Sequence, residues 1–204
     1  MRYLAYKIFF TVAVLVISTT IFAAETERVE KIVNKVCSAC HGIGGTTTSP
    51  NFPRLAGQQP VYMKAELTEF RNKSRKDADA APMWGWARSL SDQDIEGIVE
   101  YYAAQKPIPG KLGPESLMKR GQEIFETGIP SNNVPACSSC HGLEAKGNDG
   151  APRLASQHSS YLTKQLRDAF HDSTLRPEAV AMHYVVKGLN DADINALTSY
   201  LQSK

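Results

Sequence analysis

Two five-residue runs decide most of what this chain can become: Cys37-Ser38-Ala39-Cys40-His41 and, 100 positions on, Cys137-Ser138-Ser139-Cys140-His141. C-x-x-C-H is the attachment pattern for c-type haem. Two thiols three residues apart add to the two vinyl groups of one porphyrin, and the adjacent histidine is then held under the iron as its proximal ligand. All four cysteines of the chain are used in the two runs. Other chemistries fit less well. A thioredoxin-like redox pair lacks the alternation of strands and helices it needs, and a zinc site has suitable ligands but gives no reason for each histidine to follow its second cysteine. The spacing also argues against two simple structural disulfides, the usual fate of four cysteines in an exported chain.

The first two dozen residues are read apart from the rest. Arg2 and Lys7 form a basic start, Ile8 to Phe22 is almost continuously apolar, and Ala23-Ala24 supplies the small residues a signal peptidase needs. This is a secretory signal peptide over 1–23, with cleavage after Ala23. The competing reading is a retained anchor that ties the protein to the membrane, although the apolar run is shorter than the ~20 residues that usually span a bilayer. Losing Arg2 and Lys7 leaves 21 basic against 21 acidic side chains. A formally neutral mature chain gives no footing for nucleic-acid binding, which needs a concentrated basic surface.

If each haem brings its own fold and its own sixth ligand, the chain should repeat, and it does. Pro53-Arg54-Leu55-Ala56-Gly57-Gln58 matches Pro152-Arg153-Leu154-Ala155-Ser156-Gln157 at an offset of 99. Tyr62 and Leu67 pair with Tyr161 and Leu166, and Leu90-Ser91-Asp92-Gln93-Asp94-Ile95 pairs with Leu189-Asn190-Asp191-Ala192-Asp193-Ile194. The change of offset from 100 to 99 places one insertion or deletion in the loop after the haem attachment, where such changes are tolerated. The same offset picks out the distal ligands. Of Met63, Met83, Met118 and Met182, only Met83 and Met182 are related by the repeat. A thioether opposite a histidine gives a six-coordinate iron of raised potential, suited to electron transfer and closed to substrate. The plainer reading of both methionines is core packing. Met63 aligns with Leu162 on a helix face and reads as core. His158, His171 and His183 align with Gln59, Asn72 and Trp84, so none is required by both halves; His183, next to Met182, is the one alternative distal ligand.

The elements read as helical nearly throughout. Ser91 with Asp94 is a capping-box relative, followed by Ile95, Ile98, Val99 and Tyr102 at helical spacing. Its counterpart runs from Asp191 through Ile194, Leu197, Tyr200 and Leu201. Gln59 to Arg71 and His158 to His171 form a second pair, and Glu27 to Val36 and Glu115 to Glu126 a third. Three helices per unit, joined by long loops, bury little apolar surface, and a covalent haem supplies the additional staple that small domains usually need. Lys106 to Pro114 holds three prolines and two glycines, which rule out a continuous helix. The expected organisation is therefore an N-terminal domain over 24–105, a linker of limited slack over 106–114 and a C-terminal domain over 115–204, packed in a fixed arrangement.

The paired C-x-x-C-H-G motifs, Asn51-Phe52-Pro53-Arg54-Leu55-Ala56-Gly57-Gln58, and the spacing from Met83 to Leu90-Ser91-Asp92-Gln93-Asp94-Ile95 resemble the two-domain dihaem cytochromes c of the c4 type over essentially the whole mature sequence. The resemblance implies an all-α fold of two tandem class I cytochrome c domains with pseudo-twofold symmetry. It implies two covalent haem c groups, attached at Cys37, Cys40, Cys137 and Cys140. The irons would be ligated by His41 and Met83 in one domain and by His141 and Met182 in the other. It further implies a periplasmic electron carrier that does no bond chemistry. Its partners would be redox proteins such as a terminal oxidase, a reductase or a quinol-oxidising complex. Readings from other classes are a dihaem peroxidase, which would need one open iron, and a cytochrome subunit held permanently in a membrane-bound redox complex. Two departures from the family pattern stand out. The second domain has Gly121 and Phe125 in its first helix where the first domain has Ile32 and Val33 and no such glycine. Trp84 and Trp86 follow Met83, whereas His183 and Val185 follow Met182, so the two haems should differ in environment.

Overall fold

Both capping signals are realised. Ser91 Oγ accepts from the Asp94 amide while the Asp94 carboxylate accepts from the Ser91 amide, and Asn190 with Asp193 repeats the arrangement. In the computed structural model that follows from this sequence, the described residues are 25–204 without 149 and 178. The signal peptide expected over 1–23 lies outside them.

The first unit opens with a helix over 25–32 that continues through a π-helical turn, Val33–Cys37, into Ser38–His41; we call the whole α1. It is followed by α2 (Pro60–Asn72), α3 (Ala80–Ala87) and α4 (Asp92–Ala103). The second unit comprises α5 (Glu115–Thr127), the single turn α6 (Ser138–His141), α7 (Ser159–Lys164, prolonged by a π-helical stretch Gln165–Ala169), α8 (Val180–Val186) and α9 (Asp191–Ser203). Among the described residues the only β pairing is two isolated bridges, Ile129 with Val134 and Asn148 with Ala151.

The expectation of three helices per unit is corrected here. α3 and α8 are additional, and they are the elements that carry Met83 and Met182. Neither has a side-chain cap, and Pro82 and Gly85 interrupt the first, so neither shows the signals by which a helix is read from sequence. The helix expected from His158 to His171 also ends its α-helical part earlier, at Lys164.

Each unit closes around its first and last helices. In the first, Val29, Val33, Ile95, Ile98, Val99 and Tyr102 pack with Met63 of α2. In the second, Ile124 and Phe125 pack with Ala196, Leu197, Tyr200 and Leu201, and with Leu162. Val29-Ile32-Val33 and Gly121-Ile124-Phe125 occupy the same spacing on α1 and α5. The glycine missing from the first helix of the first unit is found on its partner helix. A Cβ at Gly121 would lie 2.1 Å from the Ala196 carbonyl oxygen, whereas at Gly97, the repeat counterpart of Ala196, it would lie 2.6 Å from Val29 Cγ2. Both crossings need one residue without a side chain, and the two halves place it on opposite helices.

Residues 106–114 carry no helix and lie along α9: Gly110 backs onto the Gln202 carbonyl and Gly113 onto Ser199. The Lys76 amide donates to the Leu175 carbonyl at 2.7 Å, and Ser160 Oγ to the Pro50 carbonyl at 2.9 Å, so the two units bind one another directly.

Candidate haem sites

Each C-x-x-C-H run forms one helical turn, so its two thiols, three residues apart, share a face. None of the four cysteines is in a disulfide. Gly42 and Gly142, both at φ 75°, end the turns. At Gly42 a Cβ would meet the Thr47 amide nitrogen at 2.8 Å, so the sharp exit requires glycine. The chain then folds back identically in both units, with Thr47 N–H donating to the His41 carbonyl and Gly147 N–H to the His141 carbonyl, each at 2.8 Å.

Both histidines are buried. Nδ1 of His41 lies 2.9 Å from the Pro53 carbonyl oxygen, and Nδ1 of His141 lies 2.9 Å from that of Pro152. A carbonyl only accepts, so each Nδ1 carries the proton and each Nε2 keeps its lone pair. Burial pushes both imidazoles below their ordinary pKa, against the weaker upward pull of the prolyl carbonyls. A neutral ring, fixed through Nδ1 and free at Nε2, is the form that ligates a metal. The thiols shift the other way: burial raises Cys37 and pushes Cys137 up to about 11. Among the described residues no three His, Cys, Asp or Glu side chains converge as a metal cage. The donor set fits covalent haem: two thiols on one face of a turn and, beside them, a buried imidazole held at Nδ1 and bare at Nε2.

Met83 lies on α3, half-buried against Phe70, Ala80 and Ala87 together with Trp84 and Leu90. Cys37 packs against the neighbouring cluster, of which Leu90 is also a part. Met182 is half-buried on α8. The residues after the two methionines have the same task. Trp84 Nε1 donates to the Arg75 carbonyl at 2.8 Å, and His183 lies with Nε2 2.9 Å from the Arg176 carbonyl and Nδ1 2.6 Å from that of Phe170. With both ring nitrogens against carbonyl oxygens, His183 has neither nitrogen free to turn towards an iron. His158 is also buried, its Nε2 3.0 Å from the Thr47 carbonyl in the other unit, while His171 is exposed.

Sequence reasoning missed a buried ionic cluster between the units. Glu66 on α2 bonds to Arg75 of its own unit and to Arg176 of the other. Asp77 takes Arg75 Nε at 2.5 Å, and Arg176 Nη1 reaches Gln165. Each guanidinium lies over a phenylalanine, Arg75 on Phe70 and Arg176 on Phe170. Tyr62, raised chiefly by burial and then by Glu66, faces Tyr161 at this junction. Arg75 and Arg176 are counterparts at an offset of 101, and Glu66 pairs with the uncharged Gln165, so the repeat carried no signal for them.

Two helical units, each with its own attachment turn and its own methionine helix, define a tandem c-type haem protein. The family model described as Cytochrome c matches residues 26–104 and again 118–204. A cytochrome c4 of Stutzerimonas stutzeri is 38% identical over 176 residues, covering 82% of this chain and 83% of its own. The crystal structure of reduced recombinant cytochrome c4 from Pseudomonas stutzeri superposes with a TM-score of 0.76 at 36% identity, over 89% of this chain and 97% of that one. A thiosulfate dehydrogenase from Marichromatium purpuratum superposes with a TM-score of 0.76 at 28% identity, over 87% of this chain and 40% of that one. The chain belongs to the cytochrome c family and within it to the two-domain, dihaem c4 type.

Proposed function

We propose that the protein shuttles electrons one at a time, in the periplasm, through two His/Met-ligated haems towards a terminal oxidase or reductase. The observation that carries this reading is the duplicated proximal arrangement, in which each buried imidazole is held at Nδ1 and bare at Nε2. Cys37 and Cys40 hold one haem with His41 and Met83 on its iron; Cys137 and Cys140 hold the other with His141 and Met182. The bonds of His183 to Phe170 and Arg176 support Met182 over His183 as ligand. Bound haem supplies a one-electron couple. The chain's own residues fix the axial donors, exclude water and hold the two units together, and no side chain does bond chemistry. Redox proteins are its partners. The units are 24–105 and 115–204, joined by 106–114, and residues 1–23 direct export.

The likeness to 40% of a thiosulfate dehydrogenase chain raises, without favouring it over the carrier, a second reading, a dihaem cytochrome subunit held permanently in a membrane-bound redox complex. Co-purification separates the two: a carrier is isolated alone, a subunit with its enzyme. For the first reading, an optical redox titration of the haem-loaded protein is expected to show two haems. Both should display the far-red sulfur-to-iron band when oxidised and bind little carbon monoxide when reduced. One haem without that band, and open to carbon monoxide, would contradict the ligand assignment and favour an enzyme.

A further inference from the structure

Gln58 and Gln157 are buried at the contact between the units, and each reaches out of its own unit into the other. Gln157 Oε1 accepts from the Arg54 amide at 2.9 Å, and its Nε2 donates back to the Arg54 carbonyl at 3.1 Å. Gln58 Oε1 accepts from the Arg153 amide at 2.6 Å, and its Nε2 donates to the Arg153 carbonyl at 3.0 Å. The oxygens are not interchangeable with the nitrogens, because each Oε1 also accepts the following backbone N–H, from Gln59 at 2.9 Å and from His158 at 3.1 Å.

The peptide groups they grasp are those that hold the proximal histidines. The Pro53 carbonyl, which accepts His41 Nδ1–H, and the Arg54 N–H, which Gln157 accepts, are two ends of one amide. The same holds for Pro152, Arg153, His141 and Gln58. Hydrogen bonds in series polarise one another. An oxygen accepting from the N–H end makes the carbonyl end a stronger acceptor, which draws the imidazole proton and makes Nε2 a stronger donor to iron. A stronger donor favours the oxidised state.

We propose that Gln157 sets the potential of the haem on His41 and that Gln58 sets that of the haem on His141, so that each unit tunes the other's iron through the peptide behind its proximal histidine. The proposal rests on the assignment of those histidines as ligands. Gln58 and Gln157 are positioning residues, and the interface is part of the redox machinery of both haems. It also accounts for the recurrence of a buried amide at the same place in both halves of the repeat.

The test uses the full-length, haem-loaded protein with Gln157→Leu and Gln58→Leu. Each haem is followed through its methyl resonances by NMR in a redox titration, assigned to its unit by contacts with side chains of that unit. Gln157→Leu is expected to raise the reduced-to-oxidised ratio of the His41 haem about threefold at fixed ambient potential, given strengthening of roughly 10–30% per bond in a chain. That is a shift of about 28 mV at 59 mV per decade. The His141 haem should move much less, and Gln58→Leu should give the mirror image. Movement confined to the haem of the mutated unit, equal movement of both haems, or none overturns the proposal. Should Gln157→Leu lose its fold, Gln157→Glu keeps acceptor oxygens opposite the Arg54 amide and should lower the same ratio; no preferential movement of the His41 haem overturns the proposal equally. The far-red band of the unaltered protein reports separately on the ligands: its absence removes the assignment, whereas its presence with uncrossed shifts removes only the tuning.

Discussion

Met83 is a residue whose reading as a ligand depends on its neighbours more than on itself. It is half-buried beside Phe70 and Trp84, on a helix pinned by the Trp84 bond to the Arg75 carbonyl. A flexible thioether held this way can be aimed at one place. Met83→Ala should therefore lower the potential of one haem, since a methionine ligand raises it, and leave the other unchanged. Reduced Met83→Ala should bind one carbon monoxide per chain, measured by optical titration; two, or none, would contradict independent ligation. The C-x-x-C-H turns and the pairing of Met83 with Met182 could be picked out because each occurs twice at a nearly constant offset. Arg75, Arg176 and Glu66 could not, because their roles depend on a contact between units and their register differs from that of the methionines by two positions.

At the scale of elements, α4 shows how a legible signal acquires a measurable consequence. Asp94 closes the capping box and also takes Arg28 of α1, at 2.6 and 2.9 Å. The Arg28 bond, with the two from Ser91, holds its carboxyl down to about 2 against the upward push of burial. Because the folded-state pKa lies below the unfolded one, near 3.9, the stabilisation is complete well above that value and is lost as pH falls from there through 2. Asp94→Asn should cost about 1–2 kcal/mol near pH 7, after allowance for the solvent-exposed Arg28, and roughly 0.4 kcal/mol or less at pH 2, as read from urea unfolding. The helix crossings give a second contrast. At Gly121 an added methyl meets a backbone carbonyl that cannot yield, whereas at Gly97 it meets the tip of Val29, which can rotate. Gly121→Ala should fall at the upper end of the ~1–3 kcal/mol usual for overpacking and Gly97→Ala at the lower end, measured by the same unfolding. Capped, amphipathic helices such as α4 and α9 could be read from sequence. α3 and α8 could not, because short uncapped helices are held by what they pack against.

At the scale of the whole molecule, the duplicated units were legible from the repeat, but the way they face one another was not, since it also depends on contacts between the units that the repeat does not carry. The decisive one is Glu66. Two arginines and two carboxylates are buried together, and of the two carboxylates only Glu66 touches both units. Replacing Glu66 with glutamine leaves two guanidinium groups against the single charge of Asp77. Removing one partner of a buried ion pair typically costs about 3–5 kcal/mol, because the remaining charge stays desolvated. That loss falls on the contact between the units and not on either helical core, whose residues are elsewhere. Glu66→Gln should therefore separate the unfolding of the two units, so that one cooperative calorimetric transition of the haem-loaded protein becomes two. Both should stay nearly constant with added salt, since buried pairs are little screened. A single transition merely shifted downwards would mean that the glutamine exchange between Arg54 and Arg153 holds the units without the ionic cluster. In that case the crossed tuning of the haem potentials would survive in the Glu66→Gln protein, whereas separated units should lose it.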